Sequence, residues 1–193
     1  MGILIENIFW MTGNTLLAVI AVCAGWLTFK VNGWKFKMLF GFLWLLFIPN
    51  TIYMLSDSIH LPMQFFSVNG IVFKIILFLQ YVLLIIASVV TFVGGVYPVE
   101  MVLQKELKQI RQYKRSSLSI VLVLVNFIIA FGVTIGRIQR TNSWEVFTNI
   151  GKVIKDSMNV FTSRELLFLV LFFGILNNLL YFSLRSKIKK MVT

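Results

Sequence analysis

Five apolar segments limit what this chain can fold into, because each is long enough to cross a membrane. A bilayer core needs about 20 apolar residues per helix. The sequence predicts spans at about 14–29, 38–55, 70–97, 118–136 and 165–184. Backbone polar groups in lipid must be satisfied within the segment, so we expect every span to be an α-helix. The third segment is long enough to tilt or to continue beyond the membrane.

Composition favours a single integral membrane domain over residues 1–193. Hydrophobic residues make up 59% of the chain and charged residues only 13%, whereas a soluble domain has about 25% charged residues. The net charge is +11, but most Lys and Arg residues flank the apolar segments. That placement is typical of topology signals and headgroup contacts. We therefore expect a lipid bilayer, and no nucleic acid, as partner.

Positive charges in the loops predict the orientation of the spans, because cytoplasmic loops are enriched in Lys and Arg. Twelve of the 18 basic residues fall in the first and third loops and the C-terminal tail. We therefore place the C-terminus in the cytoplasm and the N-terminus outside. The fourth loop departs from this rule, which indicates an anionic partner on the outer side. Its basic residues are Arg137, Arg140, Lys152, Lys155 and Arg164.

The first polar motif, FIPNTIYMLSDSIHL, occupies residues 47–61 at the end of the second span. Pro49 removes a backbone donor and predicts a kink or break, and the freed carbonyls then need partners. Asn50 could supply one. If the helix continues, one face carries a polar stripe, which should face protein or a water-filled cavity. The stripe consists of Asn50, Tyr53, Asp57 and His60.

A break at Ser56 is the alternative for the same motif. Asp57 would then cap a short interfacial turn that ends before Pro62. The stripe is preferred, because a cap at Asp57 leaves Asn50 and Tyr53 unexplained.

The second polar motif, GRIQRTNSWE, occupies residues 136–145 just after the fourth span. Arg137 and Arg140 are spaced to share a helical face, and Arg suits bidentate contact with carboxylate or phosphate. An ion pair with Asp57, a lipid phosphate and an anionic substrate are the open roles.

The rest of this motif predicts the start of an amphipathic helix in the outer interface. Asn142 fits an N-cap and Glu145 the third helical position of a capping box, with Trp144 as an interfacial anchor. Alternatively, Glu145 completes an acidic or metal-binding cluster. The apolar stripe of this helix comprises Phe147, Ile150, Ile154, Met158 and Phe161.

Polar residues elsewhere in the spans are expected to join helices to one another, contributing roughly 0.6–2 kcal/mol each. Those residues are Gln80, Asn126, Asn177 and Asn178. Glu100 begins a charged stretch after the third span, so we expect it to start a solvated helix rather than a site. No span carries an acidic residue at mid-depth, which disfavours a stand-alone ion-coupled transporter.

The two motifs together resemble the signatures of a bacterial membrane-protein family, domain-of-unknown-function family 1361. The signatures are P-N-x-x-Y-x-x-x-D-x-x-H-L, matched from Pro49 to Leu61, and G-R-x-x-R-x-N-S-W-[DE], matched from Gly136 to Glu145. The resemblance implies a polytopic bacterial membrane protein, and we expect it in the cytoplasmic (plasma) membrane. The resemblance implies no activity.

The sequence therefore predicts an all-α, polytopic transmembrane bundle of about five spans plus the extracytoplasmic interfacial helix. We expect a polar site at the outer boundary that binds an anionic headgroup or an envelope precursor. Its candidate residues are Asn50, Tyr53, Asp57, His60, Arg137, Arg140, Asn142 and Glu145.

Two other functions fit the same residues. The first is a membrane-embedded hydrolase or transferase, with His60 as base or metal ligand and Asp57 as its orienting partner. The second is an accessory subunit of a transporter, with a membrane-protein partner or a second copy of the chain. The sequence contains no Walker A, GxGxxG, HExxH or GxSxG motif, so it identifies no cofactor. A zinc site would need oxygen ligands beside the single histidine, which is atypical, and the sequence assigns no zinc site.

Overall fold

Helices form almost all of the computed structural model, which describes residues 2–108 and 115–192. The elements are α1 (Gly2–Lys30), α2 (Trp34–Phe47), α3 (Pro49–Ser56), α4 (Leu61–Ser67), α5 (Ile71–Lys108), α6 (Arg115–Ile138), α7 (Glu145–Thr148), α8 (Ile150–Thr162) and α9 (Arg164–Val192). A 3-10 turn, Asp57–His60, joins α3 to α4. The described residues contain no β-strand, and the all-α prediction is confirmed.

Five stretches are long and apolar enough to cross a membrane, as predicted. They are Gly2–Lys30, Trp34–Ser67, Ile71–Lys108, Ser117–Ile138 and Arg164–Lys190. The second stretch contains α2, α3, the 3-10 turn and α4, so it extends beyond its predicted end. The third continues past the predicted span, as its length indicated.

The first helix begins about twelve residues before its predicted start, because polar residues near the N-terminus are bonded inside the bundle. Asn7 is buried, and its amide donates to Gln64 Oε1 at 2.7 Å. The Asn7 side-chain oxygen accepts from Trp10 Nε1 at 2.9 Å. A polar side chain with internal partners does not end a membrane helix. The prediction treated these residues as a boundary and was wrong there.

Helices α1 and α5 run parallel and pack closely near their C-terminal ends. A Cβ added at Gly25 would lie 2.8 Å from the Gly95 carbonyl oxygen, and one added at Gly95 would lie 2.8 Å from Ile48 Cδ1, so both positions need the small residue. The α2–α3 segment runs antiparallel beside them. Trp44 Nε1 donates to the Gly95 carbonyl at 2.8 Å, and Ser88 Oγ donates to the Thr51 carbonyl at 2.5 Å.

Helices α6 and α9 are joined by the amides that the sequence predicted. Asn126 Nδ2 donates to Asn178 Oδ1 at 3.0 Å, and Asn177 Nδ2 donates to the Asn126 carbonyl at 3.2 Å. Gly174 lets the Phe127 ring approach α9, since a Cβ there would overlap the ring. This pair of helices completes the bundle beside α5.

The bundle has two ends, which we name after their buried carboxylates. The Asp57 end holds the start of α1, the 3-10 turn, α4, the end of α6, α7 and α8. The Glu100 end holds the start of α2 and the C-terminal parts of α1, α5 and α9, and an ion pair of 2.9 Å joins Lys37 to Glu106 there. The predicted grouping of basic segments on one side agrees with this arrangement. Arg111 and Lys114, which belong to the same prediction, lie outside the described residues.

The amphipathic helix after α6 is present, but its start differs from the prediction. Asn142 does not cap it: α7 is a single turn with Trp144 at the N-cap position and no side-chain cap. The main helix, α8, is capped by Asn149, whose side chain accepts from the Lys152 backbone N–H at 3.2 Å. Half of the predicted capping box survives, because Glu145 Oε2 accepts from the Asn142 N–H at 2.6 Å. The predicted apolar stripe from Phe147 to Phe161 is exposed.

Candidate functional site

The break at Pro49 brings the two sequence motifs together. Pro49 has no N–H, so carbonyls of the preceding turn lack their usual helical partners. The Phe47 carbonyl accepts from Asn50 Nδ2 at 3.0 Å, which confirms the predicted role of Asn50. The Leu46 carbonyl accepts from Ser143 Oγ at 2.7 Å. Asn50 and Ser143 therefore satisfy the break, and Asn50 serves structure rather than lining a cavity.

A glycine pair on α6 fits the same segment. A Cβ at Gly132 would lie 2.7 Å from Pro49 Cγ, and one at Gly136 would overlap the Tyr53 hydroxyl. Tyr53 Oη donates to the Gly132 carbonyl at 2.9 Å. Small residues one turn apart let membrane helices approach closely. Gly136 in the second motif is thus required by Tyr53 in the first.

The α-helix ends at Ser56, so the polar residues of the first motif do not form one continuous helical stripe. The alternative break at Ser56 is what the structure shows, and the following 3-10 turn ends at His60, before Pro62. Asp57 does not cap this turn: Ser56 holds the N-cap position, without a side-chain cap bond. The Asp57 carboxylate is instead directed toward α6 and α1.

Asp57 and Arg137 form the centre of the site. Asp57 is only 6% exposed, and its Oδ1 forms an ion pair with Arg137 Nη1. Its Oδ2 accepts from Asn14 Nδ2 at 3.3 Å. Arg137 Nη2 lies 3.4 Å from His60 Nε2 and 3.5 Å from the Ser56 carbonyl oxygen. The predicted ion pair is present, and the guanidinium contacts both Asp57 and His60.

Two cavities flank this ion pair. The larger, of about 430 Å³, is lined by Asn14, Tyr53, Asp57, Gly136, Arg137, Arg140 and Asn142. The smaller, of about 300 Å³, is lined by Trp10, Asp57, His60 and Gln64. Five of the eight predicted site residues therefore meet at the larger cavity, and His60 lines the smaller one. Neither lining includes Asn50 or Glu145.

The α1 contribution was missed from the sequence. Asn14 and Trp10 line the cavities, but they precede or begin an apolar run and look like its boundary. The signal was the cluster of Asn7, Trp10 and Asn14, whose spacing of three and four residues places them on one helical face.

Arg140 has an unusual backbone and a free charged group. Its φ is +53°, in the left-handed region that favours glycine or asparagine. Its carbonyl accepts from Lys152 Nζ at 3.1 Å. Within residues 2–108 and 115–192 its guanidinium has no ion-pair or hydrogen-bond partner. Arg140 is therefore a cation of the larger cavity that no described carboxylate neutralises.

Glu145 belongs to its own segment. Both its carboxylate oxygens accept from Lys152 Nζ, at 2.8 and 2.9 Å. The bond from Lys152, together with the Asn142 backbone N–H, holds the pKa of Glu145 below its usual range. No three His, Cys, Asp or Glu side chains lie together as a metal-binding group in the described part of the chain. Glu145 therefore does not complete a cluster with Asp57 and His60.

The fold defines a class, a multi-pass helical membrane protein, and polar residues of both motifs cluster where its helices break and end. Residues 13–179 match the family described as "Protein of unknown function (DUF1361)", and the chain belongs to that family. The match includes both motifs, so the resemblance noted from the sequence is confirmed. No curated protein and no solved structure matches this chain.

Proposed function

We propose that this protein binds an anionic group, such as the phosphate of a lipid headgroup or of an envelope precursor, in the larger cavity at the Asp57 end. The observation that carries the proposal is Arg140. Its guanidinium lines the cavity without a described partner, on a backbone that costs roughly 1–2 kcal/mol for a residue with a Cβ. A residue kept in such a conformation is a candidate for function.

The neighbouring groups support an anion rather than a cation as ligand. Asp57 is already paired with Arg137, so these two charges neutralise each other. The positive charge of Arg140 is then left in the cavity without a described carboxylate to balance it. Arg137 is held in place by Asp57 on one side and lies against His60 on the other. Asn14 and Asn142 add amide groups to the same lining. Two guanidinium groups and amide donors at one cavity suit a phosphate.

The setting we propose is the bacterial cytoplasmic membrane, with the Asp57 end outside. This rests on the excess of basic residues in the segments that lie at the Glu100 end. Reporter fusions at both termini test it, and a cytoplasmic N-terminus with an outside C-terminus would reverse the sidedness.

The binding experiment compares Arg140→Asn with Arg164→Asn. Asparagine tolerates the left-handed conformation, so the first variant removes the cation without straining the backbone. Arg164 is exposed at the start of α9 and lines neither cavity, so the second removes the same charge elsewhere. The probes are short-chain phosphatidylglycerol, phosphatidylcholine and inorganic phosphate, each titrated onto detergent-purified protein while the melting temperature is followed.

We expect Arg140→Asn to weaken binding of the anionic probe about tenfold or more, since hydrogen bonds to charged groups contribute about 1.5–3 kcal/mol. Arg164→Asn should leave binding unchanged. Equal binding by the two variants would refute the proposal. Binding of inorganic phosphate alone would identify a soluble anion, and binding of the lipid alone would identify a headgroup.

A second candidate is a hydrolase or transferase that uses His60. Its support is the smaller cavity, where His60 and Asp57 share the lining and Arg137 Nη2 faces His60 Nε2. Because a guanidinium only donates, Nε2 is the acceptor nitrogen there, and its lone pair would serve as a general base once Arg137 moves away from it. Hydrolysis of a radiolabelled lipid extract by wild type, lost in His60→Gln, would support this candidate. The third candidate, an accessory subunit, requires a fully paired cluster without a cavity, which the free Arg140 guanidinium disfavours.

A further inference from the structure

A second buried polar cluster lies at the Glu100 end, among residues that no motif indicated. Glu100 is 4% exposed and Tyr181 is fully buried. Glu100 Oε2 accepts from the Tyr181 hydroxyl, and Oε1 pairs with Arg185 Nη2. The expectation that Glu100 starts a solvated helix was wrong, because α9 covers this turn of α5.

A cavity of about 290 Å³ opens beside this cluster, between α5 and α9. Three cations contribute to its lining, namely Lys108, Arg185 and Lys189, against the single carboxylate of Glu100. Lys108 is exposed and has no ion-pair partner within the described residues. The lining therefore carries more positive charge than Glu100 neutralises.

The positions of these cations disfavour a purely structural role. Lys108 brings a third positive charge to the same cavity from α5. The Glu100–Arg185 pair alone would join the two helices without the lysines. An anion in the cavity would pair with Lys108, which has no ion-pair partner within the described residues.

We propose that this cavity is a second ligand site, distinct from the one at the Asp57 end, and that it binds a phosphate-bearing ligand. Glu100 holds Arg185 through Nη2, which orients the guanidinium and leaves other N–H groups available. Lys108 supplies a positive charge that phosphate needs, and Gln104 adds an amide. Met101 and Leu118 complete the lining with apolar surface suited to a glycerol or acyl portion. Basic pockets between membrane helices bind lipid headgroups in this way.

The test compares Lys108→Gln with Lys35→Gln, both in the Arg140→Asn background so that any binding left at the Asp57 end is weakened and is the same in both proteins. Lys35 is an exposed cation at the same end of the bundle that does not line the cavity. The probes are short-chain phosphatidic acid, short-chain phosphatidylcholine and glycerol 1-phosphate. Binding is read from the rise in melting temperature with probe concentration. Because Lys108 is exposed, its substitution should leave the melting temperature without probe unchanged.

We expect Lys108→Gln to weaken binding of phosphatidic acid about tenfold and Lys35→Gln to leave it unchanged. Arg185→Lys, which keeps the charge but loses the fork that contacts both carboxylate and phosphate, should also weaken it. Saturable binding of glycerol 1-phosphate would identify a soluble phosphate ester as the ligand, and binding of the lipid alone a headgroup. Equal affinity of the two lysine variants, or phosphatidylcholine binding as tightly as phosphatidic acid, would overturn the proposal. Neither result depends on the outcome at Arg140.

Discussion

The two ends of the bundle use the same device in different backbones. At each end a buried carboxylate pairs with an arginine about 80 residues later in the chain, from Asp57 to Arg137 and from Glu100 to Arg185. The Asp57 pair lies where the second span breaks into short helices. Glu100 lies within α5, which runs as one helix of 38 residues although Pro98 stands two residues before Glu100. The polar residues of the broken segment can be recognised in the sequence because they follow a helix break. The partners of Glu100, which lies inside a long helix, cannot be recognised in this way.

The largest expected effect is the loss of stability when either arginine is removed, and it should differ between the two ends. Arg185→Ala leaves Glu100 buried within α5 with the Tyr181 hydroxyl as its remaining donor, and breaking a buried ion pair lowers the free energy of unfolding by about 3–5 kcal/mol. Arg137→Ala leaves Asp57 on a short 3-10 turn that can shift toward water, and Asn14 still donates to it. For Arg137→Ala we therefore expect the free energy of unfolding to fall by about 1–3 kcal/mol. Denaturation in mixed micelles, followed by tryptophan fluorescence, measures both.

Arg164→Ala serves as the control, since Arg164 is exposed. A loss at Arg137→Ala as large as that at Arg185→Ala would show that the broken segment is as rigid as the continuous helix. The comparison of the two ends would then fail at its first step.

Close glycine contacts provide the next comparison. A Cβ at Gly25 would meet the Gly95 backbone carbonyl, and one at Gly136 would meet the Tyr53 side chain. Each Ala substitution should lower the free energy of unfolding by about 1–3 kcal/mol, because the added methyl group overpacks the contact. A Tyr53→Ala change should rescue part of the loss in Gly136→Ala, because the obstacle there is a side chain.

Gly94→Ala is the matched control, because a Cβ at that position has open space around it. It should be neutral or slightly stabilising, since Ala favours a helix over Gly by about 1 kcal/mol. A double-mutant cycle measured by the same denaturation assay gives the coupling between Gly136 and Tyr53. A coupling of zero would contradict the contact.

A smaller effect separates stability from binding at the Asp57 end. Arg140→Gly relieves the left-handed conformation of Arg140, and we expect it to raise the free energy of unfolding by up to about 1 kcal/mol. The same change should weaken binding of the anionic probe, as Arg140→Asn does. Lys108→Gln, at the other end, removes a cation from a helical backbone and should leave stability unchanged. A destabilised Arg140→Gly protein would show that the guanidinium supports the fold.

The spans and the Asp57–Arg137 pair were predictable from sequence for a physical reason. Helical spans follow from apolar length alone, and Pro49 together with the polar residues after it marks a break that requires partners. The Glu100 cluster was not predictable in this way. Glu100 follows an apolar run and precedes lysines, a pattern typical of a helix leaving the membrane. Its partners Tyr181 and Arg185 lie on a helix whose own periodicity says nothing about what it covers.

Capping residues show a similar limit. Asn142 and Glu145 match a capping box, but Asn149 offers a competing cap seven residues after Asn142, and α8 begins there instead. The local pattern contains both caps and does not rank them. Tertiary contacts decide, because Thr141 Oγ1 and Gln139 Nε2 both donate to Asp156 of α8 and hold the preceding loop against it.

The smallest expected effect is a pH dependence of α7 and the start of α8 at the Asp57 end. The folded state lowers the pKa of Glu145 through its bond with Lys152 and the Asn142 N–H. The resulting stabilisation is present above the unfolded Glu pKa of about 4.3 and is lost as the pH falls through the lower, folded value. We therefore expect amide hydrogen exchange in α7 and the start of α8 to accelerate, relative to the intrinsic rate, under acidic conditions. Glu145→Gln should exchange at the faster relative rate already at neutral pH, and a wild-type rate in that variant would show that the Glu145–Lys152 pair does not hold this segment.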